Sequence, residues 1–419
     1  MKIAIIGGGS TYTPELMDGL YARATELGLD RVTLHDIDER RLEIVGGFVE
    51  RMNRSSTKVT RTTRLDEAVG GADLVVVQIR VGGQEARAED EAMGVRHGVI
   101  GQETTGAGGL AKALRTIPAV LAVADATARV APKATLIDFT NPVSIVTQAL
   151  LEHGKVRSIG LCNIPIGQRR ELAAHLGVDP AHVVIDSVGL NHLTFIRGVE
   201  VKGRPMLGEI IEKVASGLEH GNRPANLPDL DFPPDLLRAL GMIPSDYLRY
   251  FFLQKETIAE QAAKPKTRAH EVMAVEEELL ELYADPRTTT KPASLSKRGG
   301  AFYSHAALEI IEAIALDRPA RLVVNAQNGA TVFELPREAS IEVPCLVDAS
   351  GARPLPQRPL PPQIRGLIQH VKAYEELAVR AARTRDVRDV LLALVTHPLS
   401  RSAADAAEMA RAIAARTWA

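Results

Sequence analysis

Apolar and polar positions divide the chain into two unequal patterns. In the N-terminal part, short apolar runs alternate with longer stretches whose apolar positions recur at helical spacing. Lys2–Ile6, Arg31–His35, Leu74–Ile79, Ala134–Phe139 and Val156–Gly160 read as strands. Pro14–Leu27, Arg40–Met52 and the alanine-rich Ala111–Val130 read as helices, with Thr13 as a cap for the first and Pro118 as a kink or the true start of the third. Such alternation implies an α/β architecture, with a parallel sheet covered on both faces. After about residue 200 the pattern changes. Gly221–Pro234 reads as a loop or cover and Thr267–Tyr283 as a charged helix. Strand-like runs and turn signals follow over 321–356, and Pro361–Arg383 and Ala403–Trp418 read as covering helices.

Bulk composition narrows the classes. A chain of 419 residues allows two or three domains or one large α/β unit. A net charge of -2 and 4% aromatic residues exclude the electrostatic and stacking footprints of a nucleic-acid binder. No apolar run suggests a membrane span, and Lys2–Ile6 is too short for a secretory signal. Two cysteines, Cys162 and Cys345, give no disulfide framework, so a cytoplasmic compartment is expected.

Candidate chemistry begins where the first strand meets Gly7-Gly8-Gly9-Ser10-Thr11. Gly7 and Gly9 fit the start of a G-x-G-x-x-G turn, which lets backbone approach a pyrophosphate, but the sixth position is Tyr12. Asp36, at the end of the second strand, is placed to accept from a ribose hydroxyl, as NAD requires. A buried turn that binds no nucleotide would leave the same residues. Further polar sets end the later strands: Gln78–Gly83 with Arg80, Asp138–Pro142 with Asn141, and Leu161–Pro165 with Cys162 and Asn163. Arg80 suits an anion. Cys162 and His192, the latter in a turn between VVIDSVG and LTFIRG, form a thiolate–imidazole pair suited to a divalent transition metal. On spacing alone the structural reading prevails: a free cysteine is usually a small buried hydrophobe and a single histidine is usually structural. Gly101–Gly109 is a glycine-rich loop without the lysine of a phosphate loop, carrying Glu103 as a candidate buried acid. Ile243–Phe252 gathers Tyr247, Tyr250, Phe251 and Phe252, with the phenylalanines fitting core packing.

Taken in order, the segments IAIIGGGSTYTP, LHDID, GQETTGAGG, DFTNPV, GLCNIP, GLNHLTF, IPSDYLRYF, KRGGAFYS, VNAQNGATVFELP and IEVPC resemble glycoside hydrolase family 4 over essentially the whole chain. That family stands outside the usual two-carboxylate scheme of glycoside hydrolysis. The resemblance implies a Rossmann-type parallel sheet of lactate/malate dehydrogenase-like architecture, followed by an α+β substrate and oligomerisation domain. The division is expected at 1–197 and 198–419. It also implies NAD on Gly7, Gly9, Ser10, Thr11 and Asp36, a divalent metal, commonly manganese, on Cys162 and His192, and Tyr247 as a base. The sequence Cys162-Asn163-Ile164-Pro165 is similar to the 6-phospho-β-glucosidase subgroup.

The implied reaction oxidises C3 of the sugar by hydride transfer to NAD, which acidifies C2. Tyr247 removes the C2 proton, the aglycone is eliminated, water adds at C1 and the hydride returns. A nearby metal charge would lower the pKa of Tyr247, which otherwise titrates at about 10. Arg80, Asn141, Asn163 and Arg298 are the candidates for holding sugar and 6-phosphate, and Glu103 or water for the leaving-group proton. The expected substrate is a phosphorylated disaccharide or aryl-glucoside, handled by a homodimer or homotetramer without nucleic acid or membrane. His305, Phe251, Phe252 and the Gly-Ala-Gly-Gly of the glycine loop depart from the family pattern. The competing readings are an NAD-dependent malate/lactate-type dehydrogenase, another specificity in the same family, and a non-catalytic NAD sensor.

Overall fold

The computed structural model describes residues 1–216, 230–264, 266–298, 302–400 and 402–418. Six strands, β1 (Lys2–Ile6), β2 (Arg31–His35), β3 (Lys58–Thr62), β4 (Leu74–Val77), β5 (Thr135–Asp138) and β6 (Arg157–Gly160), pair in parallel in the order β3-β2-β1-β4-β5-β6. This is the doubly wound dinucleotide-binding order, and it reverses between β1 and β4, where such sheets open a crevice at their carboxyl ends. β1 and β4 are buried almost throughout, as central strands covered on both faces must be. β3 was not foreseen from the sequence; its residues are only half-buried, and it forms the edge of the sheet.

A hairpin follows: β7 (Val183–Leu190) and β8 (Leu193–Val201) joined by the two-residue turn Asn191-His192. Short β9 (Arg204–Pro205) and β10 (Ile243–Pro244) flank β8 to complete a separate four-stranded sheet. The strand-like runs expected over 321–356 become β11 (Ala320–Gln327), β12 (Ser340–Asp348) and β13 (Gly351–Pro354). They return to the first sheet and extend it antiparallel, through the pair Asn325 and Gly160. Chain from beyond residue 320 therefore lies beside the strand that ends before Cys162.

The helices show where local reading failed. The first does not run unbroken to Leu27: it splits at Arg23 into Thr13–Ala22 and Ala24–Leu27. Thr13 does not cap it, because the Thr13 hydroxyl accepts from Gln78 Nε2 at 2.8 Å. The long helix starts at Gly106 and runs to Val130, so Gly-Ala-Gly-Gly is its first turn and not part of a loop. Pro118 neither starts nor ends it; this proline sits on an exposed face, where water can meet the carbonyl it leaves unbonded. That helix is long and apolar enough to cross a membrane, but most of it is packed inside the fold. Gly83–Arg96, a helix with no apolar stripe, offered pattern reading nothing to detect. Arg268–Ala284, Pro362–Thr384 and Ala403–Trp418 match their expectations closely. In Pro362–Thr384 the buried stripe is Ile364, Ile368, Val371, Tyr374 and Ala378, one side of a helix. Most of the loop expected at Gly221–Pro234 lies outside the described residues; Pro234 itself begins a short helix.

Candidate active site

The glycine turn closes the end of β1. Gly7 has φ +90°, and a Cβ there would stand 2.7 Å from the Gln78 carbonyl oxygen, so no other residue fits. The N–H groups of Gly7 and Gly8 both donate to the His35 carbonyl, at 2.9 and 2.7 Å. Asp36 accepts from Gly9 N–H at 2.9 Å and from Asp38 N–H at 3.1 Å, which fixes the carboxylate at the rim. Arg298 is not among the groups around Cys162. It lies against this turn, donating to Thr11 Oγ1 at 2.7 Å and Ser10 Oγ at 3.5 Å over the ring of Tyr12. Glu276 binds both Arg298 and Arg41, each at 3.3 Å, and accepts from Gln84 at 3.1 Å. Tyr12, at the position where the fingerprint wants glycine, uses its hydroxyl to accept from Ser304 N–H at 3.1 Å.

The second constellation stands at the end of β6. Cys162 Sγ and His192 Nε2 are 3.5 Å apart. His192 occupies the second turn position with φ +64°, where glycine or asparagine is at ease, at a cost of about 1–3 kcal/mol for a side chain such as histidine. Strain of this size points to a side chain needed in that place. Thr104 Oγ1 holds His192 Nδ1 at 3.1 Å, which leaves Nε2 facing the thiol. The Tyr247 ring stacks on the imidazole, with centroids 3.6 Å apart and planes 10° from parallel. Tyr247 and Tyr250 are buried, and Phe251 and Phe252, half-buried, pack against the edge of the main core as expected for the phenylalanines.

Burial pushes the Cys162 thiol up to about 12, helped by the Glu342 charge, and pushes His192 down to about 3. A buried thiol beside a neutral imidazole is a donor set that suits a borderline-soft divalent cation, whose charge would displace the thiol proton. Among the described residues no third His, Cys, Asp or Glu joins them in a metal-binding cluster, so coordination positions would face the cleft.

Glu103 precedes Thr104 and sits under three cations. Lys112 Nζ is 2.6 Å from it, Arg87 Nε 3.2 Å, and Arg80 makes a closer ion pair. Burial opposes the Glu103 charge, but Arg80, Arg87 and Lys112 outweigh it and hold the carboxyl well below its ordinary range. A carboxylate so held has no proton to give. Lys112 is driven down to about 7 by burial first and by Arg80 second. Burial works against Arg87 as well, but Glu103, Glu91 and Tyr247 hold its guanidinium charged. The two constellations meet electrostatically at Arg298, whose pKa is lowered by burial and by the charge of Arg80, against the pull of Glu276. Among the described residues, no group donates to the buried Asn141 Oδ1, and burial first, with Cys162 and Tyr247 adding to it, drives the Tyr303 hydroxyl well above its ordinary range. Asn163 Oδ1 lies 3.9 Å from the Cys162 thiol.

Thr104, Arg87, Lys112, Asn191, Tyr303, Glu276 and Glu342 escaped sequence reading. Arg87 sits on the helix without an apolar stripe, and Lys112 on one read only as alanine-rich.

Comparison with known proteins identifies the family. The family model for family 4 glycosyl hydrolases matches residues 2–178, and that for the family's C-terminal domain matches 187–400. The chain belongs to family 4 of the glycosyl hydrolases. Family 4 relatives include the 6-phospho-beta-glucosidase of Escherichia coli, 39% identical over 422 residues, covering 98% of this chain and 94% of the relative. The 6-phospho-beta glucosidase of Thermotoga maritima, solved with manganese, NAD+ and glucose-6-phosphate, superposes with a TM-score of 0.91 at 36% identity, covering 100% of this chain and 99% of that one. The malate dehydrogenase of Plasmodium falciparum, 13% identical with a TM-score of 0.53 over 92% of this chain and 99% of that one, shares the fold alone. Family 4 membership makes the chain a glycosidase on a dehydrogenase-type sheet.

Proposed function

We propose that the chain hydrolyses 6-phospho-β-glucosides, with NAD and a divalent cation, manganese foremost, as cofactors. The observation that carries this reading is the Cys162–His192 contact of 3.5 Å with Tyr247 stacked upon it, at the carboxyl edge of a dinucleotide-binding sheet. Relatives named as 6-phospho-beta-glucosidases at 37–39% identity along nearly the full chain support the substrate class. When bound, NAD would supply the acceptor and donor for hydride at C3, and the cation would draw charge from the sugar oxygens at C2 and C3.

The chain's own groups do the rest. The glycine turn presents backbone to the diphosphate, and Asp36 takes a ribose hydroxyl beside exposed Ile37, an apolar surface suited to a flat base. Tyr247 removes the C2 proton. Its position is set by the His192 ring, and the neighbouring Arg87 charge favours the phenolate. Arg80 and Arg298, each held by a carboxylate partner, offer guanidinium groups suited to a phosphate dianion. Asn141 and Asn163 offer amides to sugar hydroxyls. The part of Glu103 is electrostatic: it holds Arg80, Arg87 and Lys112 together, so water supplies the leaving-group proton.

A malate-type dehydrogenase needs a histidine base backed by a carboxylate. Here Thr104 takes one nitrogen of His192 and Cys162 faces the other. The deciding assay offers p-nitrophenyl 6-phospho-β-glucoside with and without NAD, Mn2+ and a thiol reductant. Nitrophenol release should require both cofactors and slow when C2 or C3 carries deuterium. Activity surviving removal of both, or net NADH formation from malate or lactate, would overturn the proposal.

A further inference from the structure

We propose that Glu342 is a positioning residue that sets Cys162 and His192 at ligating distance from one another, acting through Asn191 and Asn325. The inference rests on the reading of Cys162 and His192 as a cation site and deepens it. Cys162 follows the end of β6, and His192 lies in the β7–β8 turn, thirty residues on. Each is placed by a different sheet, so some group must register the two sheets against each other.

Glu342, on β12, is fully buried. One of its oxygens, Oε1, accepts from Asn191 Nδ2 at 3.0 Å and from Asn325 Nδ2 at 2.8 Å. Asn191 is the first residue of the turn whose second is His192. Asn325 is the residue of β11 that pairs with Gly160, two positions before Cys162. The fit there is close: a Cβ on Gly160 would stand 2.9 Å from Asn325 Cβ and 2.0 Å from Thr147 Oγ1. One carboxylate oxygen therefore ties the strand end that carries the thiol to the turn that carries the imidazole. Among the described residues, its second oxygen, Oε2, finds no hydrogen-bond donor. Burying a carboxylate with half its capacity unmet is costly, and an apolar residue would serve packing better. A role in holding both asparagine amides by a single acceptor accounts for the choice, as outer partners commonly orient ligands in metal sites.

The test measures Mn2+ affinity by the electron spin resonance of free Mn2+, and NAD affinity by calorimetry, on the full chain and its Glu342→Ala, Glu342→Gln and Asn191→Ala variants. Alanine at either position should weaken Mn2+ binding about 10- to 100-fold and leave NAD affinity within about twofold of the original chain. Glutamine at 342 keeps an acceptor for both amides and should restore most of the loss, which simple damage to the core would not permit. If Glu342→Ala fails to fold, Asn191→Ala and Glu342→Gln carry the decision. Mn2+ affinity unchanged in Asn191→Ala overturns the proposal, as does a Glu342→Gln variant no better than alanine. An original chain that binds no Mn2+ would instead remove the cation site itself, and the proposal with it.

Discussion

The Gly7–Thr11 turn closes one strand of the first sheet, whereas the Cys162–His192 pair joins that sheet to the β7–β8 hairpin of the second, so the chain reaches them by opposite routes. The turn is local. Strand, glycines and helix start follow one another within fifteen residues, and Asp36 returns on the neighbouring strand to take Gly9 N–H at 2.9 Å. The pair is assembled. It needs the end of β6, a turn at 191–192, Thr104 from before the long helix, Tyr247 from a short turn, and Glu342 from β12. A local site should fail by losing its own turn, and an assembled one by losing registration among distant parts.

The largest expected effect separates the two directly. Cys162→Ser or His192→Ala should lower kcat/KM by about a thousandfold or more, because several kcal/mol of charge stabilisation leave with the cation. NAD affinity, measured by calorimetry, should stay within about twofold. A parallel loss of NAD binding would mean the two regions form one cooperative unit. Gly7→Ala tests the other side. Its Cβ would meet the Gln78 carbonyl at 2.7 Å in a backbone of φ +90°, and about 1–3 kcal/mol of stability should go. NAD binding should weaken about tenfold or more, with Mn2+ binding retained. Asp36→Ser should be milder. Losing a charged acceptor of about 1.5–3 kcal/mol costs roughly 10- to 100-fold in NAD affinity, while the 2′-phosphorylated dinucleotide loses less or gains. Comparing the two dinucleotides in one titration series checks this.

The same contrast explains what was legible in the sequence. Short continuous apolar runs exposed the buried strands β1, β4 and β5, because both faces of such strands must be apolar. Cys162 and His192 could be named from a strand end and a turn, Glu103 from a glycine-rich loop and Tyr247 from an aromatic cluster, and the family resemblance gave them roles. Their mutual geometry could not, since contacts such as Glu342 to Asn191 span 151 residues. The return of β11–β13 to the first sheet was equally hidden: strand pattern tells that a segment pairs, not with what. The surroundings of Arg298 were hidden for a related reason, since KRGG names an anion-binding residue but not its contacts with Ser10 and Thr11.

Asp138 offers the finest test, because it lies between the two regions. It pairs with Val77 on the nucleotide side and with Gly160 on the Cys162 side. Burial raises its pKa from 3.8 to about 8, against the Thr140 N–H that favours the charge. Between those values the folded state keeps a proton that the unfolded chain has shed. The stability contributed by this group is therefore full below pH 3.8, falls as pH rises, and is lost through about pH 8. Asp138→Asn cannot ionise and escapes the decline. Its stability relative to the original chain should improve from pH 5 to pH 9 by on the order of 1 kcal/mol per unit up to the folded pKa, read from urea unfolding at each pH. Identical pH profiles would show that the strand edge already accommodates a charge at this position. The dividing wall between the nucleotide turn and the Cys162 end of the cleft would then be a solvated, polar boundary and not the dry one that Val77, Ile137 and Leu161 describe.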